Sequence, residues 1–317
     1  MEDNSLHRTG AKAPNGNGSG VSRREFLRLS GLTAFSVAGV SFLTACGPAA
    51  QGTTSSSTSS DSDSSSSGSE VLGDGKTMRV GMEAAYAPYN WQVSEASDTT
   101  IPIQNVDGAY ADGYDVQIAK KIANALNMEP VAVKMSFSGL IDALNNGQID
   151  IICAGMSATD ERKQSIDFSD PYFVGGFGLL VKKGSKYANA TSLDDFSGAS
   201  VLGQKDTLLD TVIDEIPNVN HLTPVDSVPS QLSQLNQGTC DAITYNTENT
   251  KGFLNANPDL VAIQFKDGKG FKETVPCNAG IKKGQKAILA KINKCVDAIS
   301  DDERQKIFDD CVDRQPS

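Results

Sequence analysis

Two lobes of similar α/β build, hung on a pair of connecting strands, are predicted by three features of this chain. They are a repeated helix-to-strand unit, a repeated strand ending, and two strands that each stop at glycine. Residues 144–152 read LNNGQIDII and residues 235–243 read LNQGTCDAI, so both fit LNxGxxDxI with copies 91 residues apart. Each follows apolar residues at helical spacing (Leu140, Ile141, Leu144, then Leu232, Leu235) and reaches a glycine suited to ending a helix. Each then enters a short apolar strand. A period this long is not that of a solenoid; it marks two units of one architecture.

The connections come from a second echo. LLVKKG at 179–184 and AGIKKG at 279–284 are both apolar strands ending in two lysines and a glycine. If the chain leaves the first lobe through one and returns through the other, the first lobe takes residues 71–182 plus 281–317 and the second takes 183–280. Two adjacent strands then form a hinge. Met78–Gly81 and Ser200–Gly203 open the two lobes as strands. Ligands of open α/β sheets bind beyond the carboxyl ends of such strands, so both sets of loops are expected to face one cleft.

The N-terminal part is set apart by composition. Residues 1–45 hold the pair Arg23–Arg24, then a diluted apolar stretch from Leu29 to Ala45, too short and polar for a permanent membrane span. The arginine pair resembles a twin-arginine (Tat) export signal. Leu43, Thr44 and Ala45 before Cys46 resemble a lipobox, which implies that Cys46 becomes the lipidated, palmitate-bearing first residue of a lipoprotein. Residues 46–70 follow as a Ser-rich linker with almost no apolar residue to order it. A globular domain tethered to the outer face of the cell membrane is the expected result, although one acyl chain anchors weakly.

The formal net charge is −11, and the leader is its basic part. An acidic protein of this kind is poorly suited to nucleic acid or to an anionic membrane surface as a direct partner. Six cysteines and two histidines, His7 and His221, are spaced too widely for a zinc site or a histidine-based triad, so no metal or cofactor is expected. Cys153 and Cys240 sit in apolar runs and read as core residues. Cys295 and Cys311 are candidates to bridge two terminal helices.

The segment with the most chemistry is GMSATDERKQSIDFSDPY at 155–172. It places Arg162 at the start of a short helix, near the hydroxyls of Ser157 and Thr159. A guanidinium there can grip a carboxylate through two parallel hydrogen bonds. The plainer alternative is an exposed pair with Asp160 or Glu161, worth under about 1 kcal/mol. The whole string resembles the signature of the family 3 solute-binding proteins that deliver polar amino acids to ABC importers, and GYDVQIAKKIA at 113–123 resembles another of that family's patterns, with Gln117 where an acid is usual.

The resemblance implies two doubly wound lobes of the periplasmic binding protein-like II fold, closing on a ligand as a Venus flytrap does. It implies that Arg162 holds the ligand's α-carboxylate, that Gly155 and Ser157 contact ligand, and that Thr159 caps the arginine's helix. Glu83 and Tyr86, in the loop MEAAYAPYNW, match ligand contacts, and Trp91 is a candidate to stack; Tyr89 reads as packing. In GQKDT, Gln204 and Thr207 match donors at a helix N-terminus, with a plain N-cap as the alternative, and compatible, role for Thr207. The acid expected for the ligand's α-ammonium falls on Asn246, with Glu248 two residues on as its possible substitute. A carboxylate beside aromatic rings favours a free amino acid with a basic or amide side chain, presented to a permease. The rival expectation is a dehydratase-like enzyme on the same scaffold with Glu248 as acid–base group.

Overall fold

The structure, a computed structural model, describes residues 71–316, so the expected export signal, Cys46 and the expected linker lie outside the described residues. In the first lobe the apolar strand Thr77–Met82 lies between Glu129–Lys134 and Ile151–Ile152, parallel to both. Val275–Lys282 and Ile166–Gly175 complete five strands, with Val275–Lys282 antiparallel to each neighbour. The second lobe repeats this plan. Ser200–Leu202 lies between the parallel strands Asn220–His221 and Ala242–Asn246, and antiparallel Phe177–Lys182 joins the latter to Leu260–Ile263.

The repeated motif has a physical cause that is the same in both lobes. Its helices, Leu140–Asn145 and Val228–Gln237, are followed by Gly147 (φ 72°) and Gly238 (φ 77°), left-handed positions that turn the chain back toward the sheet. Its aspartates then stitch the next strand to the first strand of the lobe. Asp150 accepts from the backbone N–H of Arg79 at 2.9 Å and donates its own N–H to the Arg79 carbonyl at 2.8 Å. Asp241 does the same to Ser200, at 2.8 Å each way.

The lobe boundaries differ from the expected 182/183 and 280/281. Phe177–Lys182 belongs to the second sheet and Val275–Lys282 to the first, so the KKG endings mark the far ends of these strands rather than the crossings. The chain crosses at Gly175–Gly176 and returns between Ile263 and Val275, and Val275 pairs with Gly175 at the last rung. Two adjacent crossings therefore form the hinge, the first seven residues earlier than the sequence echo placed it and the return within residues 264–274, ahead of the expected 280/281.

Residues 85–112 form a small antiparallel sheet ordered Ala85–Tyr86, Asn90–Val93, Tyr110–Asp112, Ile101–Pro102. Strands of two to four residues are too short for alternation to show in sequence. The terminal helices Lys286–Asp297 and Asp301–Arg314 pack on the first lobe, where Phe308 stacks on Phe173 at 4.5 Å. The end of the second helix also reaches the other lobe: Gln315 donates to Asn249 at 3.0 Å and Lys251 pairs with Asp313. Cys295 and Cys311 are free thiols, which corrects the bridge expected between them; the Cys311 sulfur accepts instead from Arg314. Cys153 and Cys240 are buried, as core residues should be.

The stitches differ in content, and that difference is testable. Asp150 also binds the Arg79 guanidinium at 2.7 and 2.9 Å, whereas Asp241 has no such partner among the described residues. Asp150→Ala is expected to destabilise by about 3 kcal/mol and Asp241→Ala by about 1 kcal/mol in urea unfolding. Equal losses would show that the guanidinium adds nothing.

Candidate functional site

Every carboxyl end of the inner parallel strands delivers a residue to one cleft. Thr77–Met82 leads into Glu83, Ile151–Ile152 into Ala154 and Gly155, Ser200–Leu202 into Gln204, and Ala242–Asn246 ends in Asn246. Tyr86, Ser157, Arg162 and Thr207 line the same cleft, so eight of the eleven residues singled out in the sequence meet there. The facing side chains touch across it and leave a cavity of about 30 Å³. That is room for one or two waters, so any larger solute enters only when the lobes separate.

Arg162 is the third residue of the helix Asp160–Ser165, whose N-cap Thr159 accepts from the Arg162 backbone N–H at 3.3 Å. Its guanidinium donates to the Ser157 carbonyl at 2.8 Å and, across the cleft, to the Asp206 carbonyl at 2.6 Å. The ring of Phe137 lies beneath it at 5.2 Å. Two of its five N–H donors are thus engaged. Burial lowers its pKa, against the opposing pull of Glu161 and Asp206. Among the described residues it forms no ion pair, so the surface-pair alternative with Asp160 or Glu161 is absent.

Glu83 is the complementary charge. It is 8% exposed and accepts from the Gln204 amide at 3.0 and 3.1 Å across the cleft. Desolvation pushes its pKa up to about 7, and the Gln204 bond only partly offsets this. Tyr86 donates to the side-chain carbonyl of Asn246, also across the cleft, and stacks on Tyr89 at 5.0 Å. Tyr89 itself is buried against Phe173 and Phe308, in keeping with a packing role. Thr207 caps the short helix Leu208–Thr211 by accepting from the Leu209 N–H at 3.1 Å while also facing the cleft. Outside the cavity the mouth is acidic, carrying Asp160, Glu161, Asp206, Asp210, Glu215 and Glu273 against Arg162 and Lys272.

Two expected residues are placed elsewhere. Trp91 is buried in the strand Asn90–Val93 with the Arg314 guanidinium 5.9 Å from its ring; pairing opposite Ala85 rather than Tyr86, it does not line the cleft but a separate groove that Tyr86 also borders. Glu248 sits on the hinge. Its carboxylate accepts from the Gly176 N–H at 2.7 Å, and a Cβ on Gly175 would lie 2.3 Å from its other oxygen, so a side chain there would displace the carboxylate.

Sequence reasoning missed the framework that holds the loops. Buried Asp115, the acid of GYDVQ, accepts from Tyr172 at 2.5 Å and from Asn90 at 2.8 Å, and Asn90 accepts from the Ala84 N–H beside Glu83. The loops bearing Glu83 and Gly155 are thereby fixed to one carboxylate, whose pKa burial raises to about 6 despite bonds from Tyr172, Asn90 and Gly155. It also missed the apolar lining, including Phe137, Phe177 and Leu208, since each reads as ordinary core in sequence.

The Glu83 environment predicts a pH dependence. Below pH 4.5 the carboxyl is protonated in folded and unfolded chains alike; between 4.5 and about 7 only the unfolded chain ionises freely, so ligand-free stability falls as pH rises. The loss attributable to this group is about 3 kcal/mol. Asp115 contributes with the same sign, so the measurement is the difference between the parent and Glu83→Gln across pH 4–8. A difference that does not grow with pH would overturn the assignment.

Comparisons with known proteins agree with this geometry. Residues 78–311 match the bacterial extracellular solute-binding proteins, family 3. A probable histidine-binding protein of Campylobacter jejuni is 31% identical over 71% of this chain and 80% of its own length. The glutamine-binding protein GlnH of a Bacillus subtilis ABC transporter is 31% identical over 68% and 78%. Among solved structures, the Streptococcus pneumoniae amino acid ABC transporter substrate-binding protein AbpA bound to L-arginine has a TM-score of 0.65 at 25% identity, covering 76% of this chain and 97% of its own. By sequence over most of its length and by fold, the chain belongs to the bacterial extracellular solute-binding proteins of family 3, and it is a binding protein rather than an enzyme.

Proposed function

We propose that the protein captures a free polar amino acid outside the cytoplasm, with a basic or amide side chain favoured, and presents the closed form to the permease of an ABC importer. In this reading Cys46 carries the lipid that holds it at the cell membrane and residues 46–70 are the tether. Arg162 carries the proposal. A half-buried guanidinium that faces a cleft, lies over the Phe137 ring and forms no ion pair among the described residues is arranged to receive an anion. Glu83 supplies the opposite charge on the same lobe, and Gln204, Thr207 and Asn246 approach from the other lobe when it closes. Relatives named for histidine, glutamine and arginine support an α-amino acid as the ligand class.

The test is a thermal-shift panel of the twenty amino acids on the parent and on Arg162→Ala. A ligand that binds only the folded state raises the midpoint by mass action. Loss of the paired carboxylate contact is expected to weaken the preferred amino acid by about a hundredfold or more, about 3 kcal/mol. Unchanged binding by Arg162→Ala would overturn the proposal.

A further inference from the structure

The closed cleft holds one cationic and one anionic side chain, Arg162 and Glu83. Asn246 stands on the opposite wall, 3% exposed. Its carbonyl oxygen is occupied by the Tyr86 hydroxyl, and its Nδ2 is buried without a hydrogen-bond partner. What Asn246 offers a ligand is therefore a donor. Ammonium and guanidinium groups carry only donors and gain nothing from it, whereas a carbonyl oxygen does. A buried donor left unsatisfied counts against any ligand that cannot fill it.

Charge balance points the same way. An amino acid with a neutral side chain brings one carboxylate for Arg162 and one cation for Glu83. A basic amino acid brings a second cation, and no second carboxylate lines the cleft to meet it. Glu248 does not fill that role, because it does not line the cleft: its Oε1 is engaged by Gly176 and Thr247 at the hinge, and its Oε2 is buried against Gly175. The acidic mouth attracts cations, but it lies at the surface where salt screens it; it speeds encounter without supplying a buried partner.

Resting on the amino-acid reading above, we propose that Asn246 makes the cleft select zwitterions of zero net charge whose side chain ends in a carbonyl acceptor, a carboxamide or ureido group, over those ending in ammonium or guanidinium. L-Citrulline and L-arginine provide the test, being nearly the same shape and differing in a ureido oxygen against a guanidinium nitrogen. Calorimetry at pH 8, where Glu83 is ionised, is expected to show citrulline or L-glutamine binding at least about tenfold more tightly than arginine. Asn246→Asp is expected to reverse the citrulline-to-arginine order, since it replaces the donor with a carboxylate. Equal or tighter binding of arginine by the parent overturns the inference and needs no variant, while leaving the amino-acid reading in place. No binding of citrulline or of any of the twenty amino acids overturns both.

Discussion

The site depends on two charges, one half-buried and one buried, that the protein itself does not neutralise. Arg162 and Glu83 lie in the same cleft, and each is satisfied only by neutral partners: backbone carbonyls for the guanidinium, the Gln204 amide for the carboxylate. Keeping charges out of water without a counter-ion is costly. That cost is recovered when a solute bearing both signs arrives, so the same feature that weakens the unliganded fold supplies the attraction for the ligand. The elevated pKa of Glu83 is the trace this leaves in the free protein.

Much of this was legible in the sequence because its causes are local. The LNxGxxDxI repeat reflects a helix end, a left-handed glycine and an aspartate that ties two parallel strands, and all three must lie close together along the chain. Arg162 was legible because a cap, a helix start and a cation fall within a few residues. What failed to show depends on distant partners. The KKG echo located strands but not the crossing, since sheet membership of Phe177–Lys182 is decided by pairing with Ala242–Asn246, some sixty residues on. Trp91 looked like a ligand contact by proximity to Tyr86, and only the pairing of Asn90–Val93 sets it opposite Ala85 and out of the cleft. Asp115 reads as one polar residue near a helix start; its service to three separate loops appears only in the folded chain.

Glu248 shows how a residue expected in the site can act through the joint. By accepting from the Gly176 N–H beside the crossing, it ties the loop after Asn246 to the hinge. The strand that ends in Asn246 therefore shares its anchorage with the segment about which the lobes rotate. Gln315 and Asp313 add contacts from the C-terminal helix to the second lobe on that side.

The bonds between Glu83 and Gln204 and from Arg162 to the Asp206 carbonyl join the walls to each other with no solute between them. Such self-contacts compete with the cargo for the same donors and acceptors, so the measured affinity is the intrinsic grip reduced by the fraction of molecules held shut and empty. A receptor built this way trades tightness for ease of unloading. The spent molecule can return to its own internal bonds as the cargo departs.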